Sequence, residues 1–159
     1  MINYILYIFC EKKSEKIIRD FLTKYNADGG KLLVDEILVR RSIECLSQIN
    51  LHDEWVKITD TDSWIKLGLS EQSLAFSIYY SLPTKPINGI IITFTIDGGI
   101  IFGIEAEENK RNLKYLKKLL GIFKKKYTAD LTGLFVEEAP SFSKDLFIES
   151  LNERAICGR

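Results

Sequence analysis

Three segments in the middle of the chain alternate at a period of two. Leu74, Phe76, Ile78, Tyr80 and Leu82 alternate with Ala75, Ser77, Tyr79 and Ser81. Ile90, Ile92, Phe94 and Ile96 alternate with Ile91, Thr93 and Thr95. Ile100, Phe102, Ile104 and Ala106 alternate with Ile101, Gly103, Glu105 and Glu107. Successive side chains of a strand point to opposite faces, so each segment reads as a strand with one face fit for a core. Asp97-Gly98-Gly99 supplies a tight hairpin between the second and third. Pro83, Pro86 and Asn88-Gly89 break the chain between the first and second. An antiparallel meander is predicted.

Residues 2–10 are apolar at both parities, as in a strand covered on both faces. Helical spacing follows over 14–25, where Ile17, Ile18, Phe21, Leu22 and Tyr25 share a side and Ser14 stands at the cap position. Residues 26–30, ending in Gly29-Gly30, close it. The clearest helix covers 110–126, with Leu113, Leu116, Leu120, Phe123 and Tyr127 on one stripe, widened by Leu119 and Ile122. A strand over 133–138 and a short helix from Ser141 or Ser143 complete the pattern. Residues 31–70 carry little periodicity. A strand over 31–39, a short helix over 42–49 and an irregular stretch over 50–68 are the expectations there.

This order predicts an α+β domain, with a mostly antiparallel sheet, a central meander and helices packed over one face, in a ferredoxin-like or related arrangement. A length of 159 residues suits a single domain over 1–159. The apolar run at 2–10 lacks a basic leader and a cleavage signature and is too short to span a bilayer, so a cytoplasmic protein is expected. Cys10, Cys45 and Cys157 are odd in number and show no C-x-x-C spacing, which fits reduced thiols better than a disulfide frame or zinc site.

Candidate chemistry is sparse. His52 is the only histidine, so a multi-histidine metal set is excluded, and no nucleophile elbow or phosphate-binding loop is present. No cofactor and no small-molecule substrate are expected. Asp97, Glu105 and Glu107 share one hairpin, and the last two share a strand face. Paired carboxylates of this kind serve Mg²⁺-dependent hydrolases and nucleases, or keep a wet strand soluble. Residues 110–126 hold eight Lys and Arg and no acid. Lys114, Lys117, Lys118 and Lys125 on such a helix can follow a phosphate backbone, or form a solvated face.

The 22 basic and 22 acidic residues cancel, but they are segregated. Residues 53–62 carry Asp53, Glu54, Asp60 and Asp62 against Lys57, beside Trp55 and Trp64, and residues 127–153 are also acidic. Tryptophan beside carboxylate offers an anchor and steering charge to a basic protein. The same tryptophans also suit a core beneath an irregular loop.

Small size, one histidine, no catalytic signature, a hairpin over 90–107, a Lys/Leu helix and the segment Gly133-Leu-Phe-Val-Glu-Glu-Ala-Pro140 belong together. In these features the chain resembles immunity proteins of bacterial contact-dependent growth inhibition and polymorphic-toxin systems. The resemblance implies binding to a cognate toxin domain in the producer's cytoplasm, blocking its active site or a neighbouring surface. Many such toxins are nucleases with basic faces. Trp55, Asp60, Asp62 and Trp64, or the Glu105/Glu107 face, are then the expected contacts.

Overall fold

The computed structural model describes residues 1–26, 29–45, 48–127, 129 and 131–158. In chain order the elements are β1 (Asn3–Cys10), α1 (Glu15–Tyr25), β2 (Lys31–Leu32), β3 (Glu36–Cys45), β4 (Gln48–Lys57), α2 (Thr61–Ser70), β5 (Leu74–Ser81), β6 (Ile87–Phe94), β7 (Ile100–Glu107), α3 (Lys110–Lys126), β8 (Leu131–Val136), α4 (Lys144–Glu153) and β9 (Cys157–Gly158). All described strands join one sheet, in the order β4-β3-β5-β6-β7-β1-β8-β9, with β2 paired to β5. Every pairing is antiparallel. The fold is α+β, as the alternation and helical stripes predict.

The meander forms as expected from β5 to β7. Gly98 adopts φ +86 in the hairpin, and its N–H donates to the Thr95 carbonyl at 3.0 Å. Asn88-Gly89, expected to break the chain, instead lies inside β6, where the register shifts between Ile87 and Gly89. β1 inserts between β7 and β8, which is why its residues are apolar at both parities.

Two cores result, one on each sheet face. The larger joins Leu6, Ile8, Phe76, Ile92, Phe94, Phe102 and Ile104 to Ile18 and Phe21 of α1, Trp64 and Ile65 of α2, and Leu116, Leu119 and Phe123 of α3. The smaller lies on the opposite face, where Phe147 and Leu151 of α4 meet Ile5, Tyr7, Phe9, Ile91, Ile101 and Phe135. The expectation that all helices share one face is therefore corrected: α4 crosses to the other. The odd-numbered residues of β1 are apolar because α4 needs a seat.

The segment 31–70 departs most from expectation. The short helix over 42–49 is instead strand at 42–45 and 48–49, with residues 46 and 47 outside those described. Residues 27 and 28 of the expected turn at 26–30 also lie outside them. The irregular stretch over 50–68 is the rest of β4 and most of α2. Asp60 caps α2, accepting from Ser63 N–H at 2.8 Å while Ser63 Oγ bonds back to the cap. Ser14, Asn109 and Ser143 cap α1, α3 and α4, each side chain accepting from the backbone N–H three residues on, without the return bond.

Candidate functional site

The smaller core covers only part of its sheet face, over β1, β6, β7 and β8, with Tyr79 of β5 packed against its margin. From that margin outward the face carries Ala75, Ser77 and Tyr79 of β5, Glu105 and Glu107 of β7, Leu38 and Arg40 of β3, and Asp53 and Trp55 of β4. These positions share a face by register: Arg40 opposes Ala75 and Asp53, Leu38 opposes Trp55, Tyr79 opposes Ile91, and Ile91 opposes Gly103.

The region divides into two sectors. The first is acidic and centres on Glu105, flanked by Ile5 on β1 and Gly89 on β6. Gly89 leaves the slot in which the carboxylate lies: a Cβ there would sit 2.7 Å from Glu105 Oε2. Gly103 likewise admits the Tyr7 ring, which a Cβ would approach to 2.7 Å. Burial raises the Glu105 carboxyl above its ordinary value, and the negative charge of Glu137 adds to the effect. Burial also raises the hydroxyls of Tyr7 and Tyr79, with Glu105 contributing to both. Tyr7 donates to the Glu138 carbonyl at 2.7 Å, fixing the rim of this sector to the segment before α4. Among the described residues, neither Glu105 nor Glu107 has a basic ion-pair partner.

The second sector is apolar and lies at the β4 edge. Trp55 is 66% exposed and Leu38 40%. Leu38, Arg40, Ala75 and Phe142 line a recess of about 80 Å³. Arg40 binds Asp53 through Nε at 2.9 Å and a second nitrogen at 3.2 Å, and this guanidinium holds the Asp53 carboxyl below its usual range. From β4 to β7 there are four strand spacings, so Trp55 and Glu105 stand on the order of 20 Å apart.

The residues expected from sequence are thus redistributed. Trp64 is fully buried among the residues of the larger core, so a partner cannot touch it. Asp60 is used as a helix cap. Asp62 pairs with Arg19 at 2.8 Å on the α2 side of the sheet, away from Trp55. Glu54 pairs with Arg41, which also reaches Glu71. The acidic appearance of 53–62 is therefore largely met inside the molecule. Asp97 sits in the hairpin at the far end of β7 from Glu107. It accepts from Thr95 Oγ1 at 2.5 Å and from Lys144 N–H at 2.8 Å, which ties α4 to the turn. The carboxylates Asp97, Glu105 and Glu107 do not converge, and among the described residues no three His, Cys, Asp or Glu side chains are placed to hold a metal ion. Lys114, Lys117, Lys118 and Lys125 are exposed on α3, the far side of the molecule from Glu105. No helix among the described residues is long and apolar enough to cross a membrane.

Sequence reasoning missed Tyr79, Leu38, Arg40 and Phe142. Tyr79 was legible as the odd-parity face of β5. Leu38 and Arg40 needed the β3–β4 register, which no periodicity announces.

No family model matches the chain, and no curated protein matches it. Among solved structures the chain is similar to one in the 1.75 Å crystal structure of the toxic C-terminal tip of CdiA from Pseudomonas aeruginosa in complex with immune protein. That similarity has 12% identity and a TM-score of 0.44, over 86% of this chain and 88% of that one.

Proposed function

We propose that this chain is an immunity protein that binds and neutralises a cognate toxin domain in the bacterial cytoplasm, through the acidic sector around Glu105, Glu107 and Tyr79. The observation that carries this reading is the contrast between the acidic residues. Asp53, Glu54, Asp62 and Glu138 each meet an arginine. Glu105 and Glu107 have none among the described residues, although Glu105 is already half withdrawn from water. A desolvated carboxylate without a cation costs stability in the free protein. A partner that brings lysine or arginine onto it recovers that cost on binding, and the flanking tyrosine ring adds contact area. A basic nuclease domain is a partner of this chemistry. The sheet that presents the sector is rigidly packed on its other face, so the surface is preformed.

The test is binding and protection with the cognate toxin domain. Glu105→Lys with Glu107→Lys should weaken binding by a hundredfold or more, equivalent to about 3 kcal/mol, and abolish survival of toxin-expressing cells. Unchanged affinity and unchanged protection would remove the acidic sector from the interface.

A further inference from the structure

We infer that the outer edge of β4 is a self-complementary strand that pairs two copies of this chain about a two-fold axis at Trp55. β4 is the outermost strand, and its described pairing is with β3 alone. Its pairing with β3 runs in unbroken register, and it contains no proline. An edge of this length, with no second strand paired to it among the described residues, is a template for another strand.

The backbone fixes which residues are offered. Ile58 N–H donates to the Asp35 carbonyl at 2.8 Å, toward β3. Along a strand the N–H and C=O of one residue point to the same side, and the side alternates residue by residue. Val56 and Glu54 therefore turn their backbone groups toward β3. Asp53, Trp55 and Lys57 turn theirs toward the free edge. A second copy running antiparallel can satisfy them in any register with a residue on the axis, and the registers centred on Glu54, Trp55 and Val56 are those that keep Asp53, Trp55 and Lys57 near the middle of the pairing without setting Asp53 against Asp53 or Lys57 against Lys57.

Charge selects among the three. With Glu54 on the axis, two glutamates face each other. With Val56 on the axis, Asp53 and Lys57 miss each other. With Trp55 on the axis, Asp53 of each copy faces Lys57 of the other, and the two indoles meet at the centre. Charges on an edge strand normally deter pairing. Here their order makes them attractive in one register. The indole is 66% exposed beside the half-exposed Leu38, and cross-strand aromatic pairs stabilise antiparallel ladders. This edge lies four strands from Glu105, so the pairing leaves the acidic sector open.

A single edge-to-edge strand pairing is expected to be a weak, concentration-dependent association. Sedimentation equilibrium from about 10 to 500 μM spans the concentrations at which a weak dimer forms. The wild-type mass should rise toward twice the chain mass. Lys57→Glu and Asp53→Lys should each remain monomeric, since each homodimer sets like charges opposite. An equimolar mixture of the two should recover the dimer, because both cross-strand pairs are then of opposite sign. Circular dichroism checks that each variant is folded. If Asp53→Lys unfolds on losing Arg40, the comparison of Lys57→Glu with wild type still decides. A wild-type protein monomeric throughout, or a Lys57→Glu variant that dimerises equally well, overturns the proposal. So does protection of the β4 amides from hydrogen exchange only after the toxin domain is added, which would give the edge to a partner's strand.

Discussion

Trp64 Nε1 donates a 2.8 Å hydrogen bond to the Tyr80 hydroxyl inside the protein, and the same hydroxyl meets Thr61 Oγ1 at 2.8 Å. An indole can be fully buried only when its N–H finds an acceptor. Tyr80, at an even position of β5, provides it from the sheet while α2 provides the indole.

Replacing Tyr80 by Phe keeps the ring and removes that acceptor. Stability should fall by about 1–3 kcal/mol, the cost of an orphaned buried donor. Denaturant unfolding should show a lower midpoint at unchanged slope. A loss within the noise of wild type would mean that the indole finds another acceptor.

A second tie holds the other end of α2. Lys13 Nζ donates to the carbonyls of Gly68 at 3.0 Å and Glu71 at 2.6 Å, and it stands 5.6 Å from the Phe94 ring centre. A lysine thus caps the C-terminal end of the helix from a loop distant in sequence. Lys13→Met should destabilise by about 1.5–3 kcal/mol, as expected for hydrogen bonds from a charged donor. Amide exchange in α2 should accelerate before that of β7.

The approach of α2 to the sheet depends on Gly68. A Cβ there would lie 2.2 Å from Phe94 Cζ, so the helix rests directly on the ring. Gly68→Ala gains helix propensity but forces helix and ring apart. A net loss of about 1–3 kcal/mol is expected, partly relieved when Phe94 is shortened to Leu. Additive effects of the two substitutions would show that the contact is not direct.

Glu105 carries a pH signature. Burial and then Glu137 raise its folded-state value above the ordinary 4.5. Between those two values the folded protein binds more protons than the unfolded chain, so stability falls as pH rises through that window and levels off above it. Glu105→Gln should therefore be more stable than wild type at neutral pH and flatten the profile just above pH 4.5. A variant less stable than wild type at pH 7 would show that the carboxylate is satisfied in the free protein.

These tests also mark where the sequence is readable. α1, α3 and β5 through β7 followed from period alone, because each buries a continuous stripe or alternate face in a core that imposes that period. α3 extends over 110–126 as its leucines predict. The stretch 31–70 was opaque for three physical reasons. β3 and β4 form a ribbon in which, among the described side chains, only Ile37, Val39 and part of Val56 reach the larger core, so alternation is weak. Arg40, Arg41, Asp53 and Glu54 pair with one another across strands, which reads in one dimension as a polar loop. α2 has a glycine and a tryptophan where a typical stripe would have leucine, since Gly68 must fit beneath Phe94. The acidic sector was half legible: the shared parity of Glu105 and Glu107 is a property of one strand, whereas the arginines that occupy the other acids are properties of the assembled sheet.

The place of β1 has a consequence for the timing of synthesis. Its nine apolar neighbours-to-be are supplied by β7 and β8, which are made only in the later part of the chain. Until those strands leave the ribosome, the first segment has no ladder to join and no core to enter. Contacts this distant in sequence slow folding and lengthen the exposure of aggregation-prone surface. Folding is therefore expected to complete late, after β8 has been made, and nascent fragments ending before β8 should be sticky and chaperone-bound.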